Sequence, residues 1–173
     1  GTDFNLWGDH FHPILVLLGP VYAVFPSPLT LLVVQNFMIA ASVYMMVRFT
    51  QRACALSSAK PEPAGTFVGV LLGAAFALSY GVQQAVAAQF HEVAFALPFL
   101  CGALGNLVLA GRINVDERSR YIMRACLWAA PLAFVKEDMG VTAAMIGIVA
   151  FVRTGWIRKG LDELFPQNPE GKP

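Results

Sequence analysis

An all-α bundle of membrane-spanning helices is the fold class this sequence predicts, and three observations carry the prediction. Charged residues make up only 13% of the chain against 57% hydrophobic; soluble domains carry about 25% charge. Mean hydropathy is +0.59, more apolar surface than a soluble fold of 173 residues could hide, but ordinary for helices that face lipid all round. The apolar runs approach membrane-crossing length, and the cations cluster in alternate gaps between them. The net charge of +1 is uninformative about nucleic acid, and no basic patch interleaved with aromatics suggests it as a partner. Cys54, Cys101 and Cys126 are widely spaced in or beside apolar runs and form no CxxC pair, so they read as packing residues rather than a disulfide framework or metal site.

The elements follow in order. Residues 1–12 read as an outer loop already under way at Gly1, as in a piece of a longer chain. The apolar run 13–25 has about 13 residues, short of the roughly 20 needed to cross a bilayer, and is expected to form an interfacial or re-entrant helix. Pro26-Ser27-Pro28 restarts the chain, with Ser27 placed as an N-cap and Pro28 at the first helical position, for a span over about 28–47. Arg48, Arg52 and Lys60 belong to a solvated connection ending in Lys60-Pro61-Glu62-Pro63. A second span over about 65–80 carries Gly65, Gly69 and Gly73 at four-residue spacing, a stripe that lets another helix approach closely.

The more polar 81–92 stretch leads to a third span at about 93–111, with Pro98 and a close-packing pair, Gly102 and Gly105. A charged loop from Arg112 precedes a fourth span at about 121–135, where Arg124 can snorkel to the interface and Pro131 is a potential break. After Lys136-Glu137-Asp138 a fifth span covers about 139–152, and 153–173 forms a tail. Together these make one transmembrane domain.

Charge sets the orientation. Of the 12 Lys and Arg, 11 lie in 48–60, 112–124 or after 152, and only Lys136 lies elsewhere. Five spans put those three regions on one side, which the positive-inside rule makes cytoplasmic. The opposite, extracytoplasmic side receives the N-terminus, the 81–92 loop and the 136–138 turn. With them go His10, His12 and His91, together with Asp3, Asp9, Glu92, Glu137 and Asp138. Trp7, Phe11, Tyr22, Phe25, Tyr80 and Phe90 mark the outer interface.

Each outer patch has a plain structural reading beside a chemical one. Asp9 could cap the helix that Pro13 opens; two imidazoles beside it, His10 and His12, also suit a divalent metal or proton transfer. Those histidines are two residues apart, so they share a face only in an extended segment. His91-Glu92 could simply end a span, and Glu137-Asp138 could be a solvated turn. Lys136 fits either an ion pair that stabilises a tight turn or the counter-charge of an anionic substrate such as a lipid phosphate.

Gly8-Asp9-His10-Phe11-His12-Pro13-Ile14-Leu15, Phe25-Pro26-Ser27-Pro28-Leu29-Thr30-Leu31-Leu32 with Gln35, Phe90-His91 and Val135-Lys136-Glu137-Asp138-Met139-Gly140 occur in this order. Together they resemble a bacterial family of polytopic membrane proteins, "domain of unknown function 2079", over nearly the whole chain. That family is grouped with the type C glycosyltransferases (GT-C), multi-span enzymes that take a sugar from a polyprenyl-phosphate carrier at the extracytoplasmic face, some with a divalent metal. The resemblance implies a multi-pass protein of the bacterial cell membrane. It places Asp9 late in the first outer loop, and 13–25 as a membrane-surface helix. The superfamily's usual acid, earlier in that loop, is expected upstream of Gly1.

The function expected from these residues and the resemblance is glycosyl transfer from a polyprenyl-phosphate sugar. Asp9 or an upstream acid would serve as base, with Glu137 and Asp138 as further candidate catalytic carboxylates. Lys136, His91 and Glu92 would bind substrate, and His10 and His12 a divalent metal. The alternative is a transporter or non-catalytic membrane scaffold with an outer-face binding site. A transporter calls for ionisable groups near the midplane on broken helices, and only Pro98 and Pro131 suggest breaks.

Overall fold

The computed structural model describes residues 13–57, 63–87 and 89–155. Every regular element among them is helical. A 3-10 turn, Pro13–Leu18, runs into α1, Gly19–Val24; α2 is Pro28–Ser57, α3 Ala64–Ala77 and α4 Tyr80–Ala87. A 3-10 segment Glu92–Phe95 leads into α5, Ala96–Ala110; α6 is Val115–Ala129, followed by 3-10 residues Ala130–Phe134; α7 is Glu137–Arg153.

The start of α2 is built as its sequence predicts. Pro28 opens the helix, the Leu29 N–H donates to Ser27 Oγ at 3.3 Å, and Thr30 Oγ1 donates back to the Phe25 carbonyl at 2.8 Å. The helix then runs ten residues past 47, through Arg48 and Arg52, to Ser57. Arginine is a good helix former, and its long side chain carries the charge to the helix end, so the cations mark the end of the apolar stretch and not of the helix. The same holds for α6, which starts at Val115 with Asp116 and Glu117 in its first turn, where carboxylates meet the helix dipole favourably. The polar 81–92 stretch is also partly helical. Here α3 and α4 bend by 53° at Leu78-Ser79, and Gln83 Nε2 donates to the Ala77 carbonyl at 2.7 Å, meeting an acceptor at the break.

Two helices, Pro28–Ser57 and Glu92–Ala110, are long and apolar enough to cross a membrane, and a third crossing is formed if the bent α3–α4 pair counts as one. The α6 and α7 helices have 15 and 17 residues, about 22 and 26 Å of rise. The 3-10 turn Ala130–Phe134, opened by Pro131, prolongs α6.

Packing follows the small residues. Gly65, Gly69 and Gly73 are all buried on the face of α3 that meets α2. A Cβ at Gly69 would lie 2.6 Å from Gln51 Cγ and 3.0 Å from the Val47 carbonyl, so only glycine allows this approach. Gly102 and Gly105 of α5 do different jobs: the first receives the Trp128 indole from α6, the second the Phe49 ring from α2. The main core continues through Ala103, Leu109, Ala125, Leu132, Val135 and Ala150, joining α5, α6 and α7.

Chain direction alternates through this bundle, and side-chain contacts define its two ends. At one, Arg112 donates to the Ala53 carbonyl at 3.2 Å and to Ser57 Oγ, Arg153 donates to the Leu107 carbonyl at 2.9 Å, and Arg52 lies over the Tyr121 ring at 5.6 Å. The other end carries residues 79–87, 89–92 and 130–138.

Candidate functional site

At that second end, a single buried amide organises the backbone. Gln35, fully buried on α2, donates through Nε2 to the Ala85 carbonyl at 2.7 Å and accepts the His91 N–H on Oε1 at 2.7 Å. Residues 50 and 56 positions away are thereby fixed to one helix. A glutamine inside an apolar span must find partners for both halves of its amide, and here the partners are the segment before the site and the site itself. His91 is extended at φ −129° and caps the 3-10 turn Glu92–Phe95, its carbonyl accepting the Ala94 N–H at 3.1 Å. The His91 side chain is left exposed.

From the other direction, Val135 is fully buried and anchors the next residue, Lys136, whose Nζ lies 3.9 Å from Glu92 Oε1. Their side chains are 28% and 20% exposed, so this pair is half-buried yet within reach of solvent. The pair joins the 91–92 and 136–138 patches into one surface, as the sorting of charges predicts. Lys136 therefore faces a carboxylate from another element rather than its own neighbours: Glu137 and Asp138 are exposed in the first turn of α7.

The electrostatics of Lys136 are informative. It is the N-cap residue of α7, with extended backbone and no side-chain capping bond, so its cation sits at the positive end of a helix dipole, where a carboxylate is favoured. Glu137 and Asp138 meet that dipole, and Glu92 meets the ammonium. Lys136 thus draws its stabilisation from the Glu92 carboxylate and not from capping, which an asparagine or serine side chain would supply.

Below His91 lies an apolar cavity of about 480 Å³ lined by Phe76, Val82, Ala85, Val93, Ala94 and Leu97, among others. Ile39, Val82 and Ala94 form a small separate core at its base. His91 borders this recess, and the next residue along the chain, Glu92, pairs with Lys136. Asp9, His10 and His12 lie outside the described residues. Among the described residues no group of three or more His, Cys, Asp and Glu side chains is placed to hold a metal ion.

Neither curated proteins nor solved structures gave a match. A family model described as "Predicted membrane protein (DUF2079)" matches residues 1–165. With that match over almost the entire sequence, and with helices apolar enough to span a membrane, the chain belongs to the DUF2079 family of predicted membrane proteins.

Proposed function

We propose that this protein transfers a glycosyl group from a polyprenyl-phosphate-linked sugar to an acceptor hydroxyl, in the manner of the GT-C enzymes, at the extracytoplasmic end of the bundle. The observation that carries the reading is the Lys136–Glu92 pair, whose Glu92 directly follows His91, a residue that borders an apolar recess. The donor is a phosphate joined to a long apolar chain, and this pair and recess offer one environment for each.

In the proposed reaction the acceptor oxygen attacks the anomeric carbon, and the bond from that carbon to the phosphate oxygen breaks. Polyprenyl phosphate leaves with the bonding electrons. The acceptor proton passes to a carboxylate, Asp9, with Glu137 and Asp138 as further candidates on the α7 side. Lys136 stabilises the charge growing on the phosphate oxygens. Its ammonium has three donors, and a contact of 3.9 Å to Glu92 is longer than a charge-assisted hydrogen bond of about 2.7–2.9 Å. The pair can open to admit a phosphate at small cost. His91 and Glu92 orient the sugar. His10 and His12 are the residues to hold a divalent metal if one takes part; a bound cation there would add charge against the phosphate of the donor.

The test is release of radiolabelled sugar from polyprenyl-phosphate by the full-length protein. Turnover that falls at least about 100-fold in Lys136→Ala, with the protein still in the membrane, is the expected result. Unchanged turnover removes the phosphate role of Lys136. No turnover in the wild type, together with uptake of a solute, favours a transporter.

A further inference from the structure

A second apolar groove, of about 580 Å³, lies between α3 and α5 with α2 as its floor. Met46 and Phe49 form the floor, Val68 and Leu72 one wall, Leu104 and Val108 the other, and Arg112 stands at one end. We infer that this groove holds one acyl chain of an anionic phospholipid whose phosphate is bound by Arg112.

Three observations support that occupant. Among the described residues the lining contains no carboxylate, and Arg112 is its one charged residue. The described bonds of Arg112, to the Ala53 carbonyl and Ser57 Oγ, both use Nη1 and both go to neutral groups. They hold the guanidinium in place without neutralising it, and leave the Nε and Nη2 edge, the fork that matches a phosphate, without a bond among the described residues. The α5 wall from Leu97 to Val108 rises about 16 Å, close to one leaflet of a hydrocarbon core roughly 30 Å thick. A chain whose headgroup rests at Arg112 would therefore end near Leu97 and Phe76, which also border the recess below His91. This lipid site lies at the arginine-rich end, and it stands whether or not the opposite end transfers sugar.

Native mass spectrometry of the full-length protein, titrated with phosphatidylglycerol and with phosphatidylcholine of the same chains, tests the assignment. Phosphatidylglycerol is expected to be retained about fivefold better, the equivalent of about 1 kcal/mol for one basic residue. Arg112→Gln should erase that preference and Arg112→Lys keep most of it, while Leu104→Trp, which fills the groove, should lower retention of both lipids. Labelling of Cys101, which lines the groove, should slow on lipid addition relative to Cys126, which is exposed on α6. Equal retention of the two lipids in the wild type, or an undiminished preference in Arg112→Gln, overturns the headgroup assignment. Unchanged Cys101 labelling, or full retention in Leu104→Trp, shows that another part of the chain or a second copy fills the groove.

Discussion

The two ends of the bundle use their cations differently. At the arginine-rich end, Arg112 and Arg153 donate to backbone carbonyls, those of Ala53 and Leu107, in the last turns of α2 and α5. Cations there meet the negative ends of helix dipoles and supply donors to carbonyls near the helix termini. At the other end, Lys136 occupies the start of α7, where the dipole disfavours it, and its partner is a carboxylate across the surface at 3.9 Å. Stability accounts for the first arrangement. The second sets an ion pair against an unfavourable helix dipole, and this is the cation that the proposed function gives to the donor phosphate.

Substitutions should separate these roles. The largest effect belongs to Lys136→Ala, with transfer reduced about 100-fold or more and thermal stability in detergent nearly unchanged. Next comes Gln35→Leu, which strips the partner from the Ala85 carbonyl and the His91 N–H and should cost about 1–3 kcal/mol. A lowered melting temperature and a loss of transfer together would show that the amide holds the site in place; loss of neither would show that the site is held by other contacts. Gly69→Leu should cost about 1–3 kcal/mol by forcing α3 away from Gln51 and Val47, with no specific effect on the ion pair. Arg153→Gln removes a cation from a helix terminus and should lower stability by about 0.3–1 kcal/mol while sparing transfer. Glu92→Gln should change stability by no more than about 1 kcal/mol, although substrate binding should weaken. If Arg153→Gln impaired transfer as much as Lys136→Ala, the contrast between the ends would collapse.

Much of this was legible before any coordinates. The sorting of Lys and Arg foretold that the 91–92 and 136–138 patches share a surface, because the cost of moving charge across a membrane constrains where cations can fall along the chain. The four-residue glycine stripe foretold the close α2–α3 contact, since glycine at that spacing offers one smooth helix face. Helix limits were less legible. Arg48 and Arg52 interrupt the hydropathy of α2 without interrupting its backbone, and Asp116 and Glu117 read as a loop although they favour a helix start. The pairing of Lys136 with Glu92 rather than with Glu137 or Asp138 depends on how two distant turns meet, which local sequence does not encode. Gln35 carried a faint signal: a lone amide in an apolar run must be satisfied somewhere. Nothing in the sequence names Ala85 and His91 as the partners.

The central claim is that the Lys136 surface and the arginine-rich end lie on opposite sides of the membrane, with Lys136 outside. It is tested most directly by a membrane-impermeant maleimide applied to intact cells expressing full-length, cysteine-free protein with one cysteine restored. The account predicts that Asp138→Cys is labelled in intact cells, whereas Glu117→Cys is labelled only after permeabilisation. Labelling of both from outside, or of Glu117→Cys alone, would contradict it.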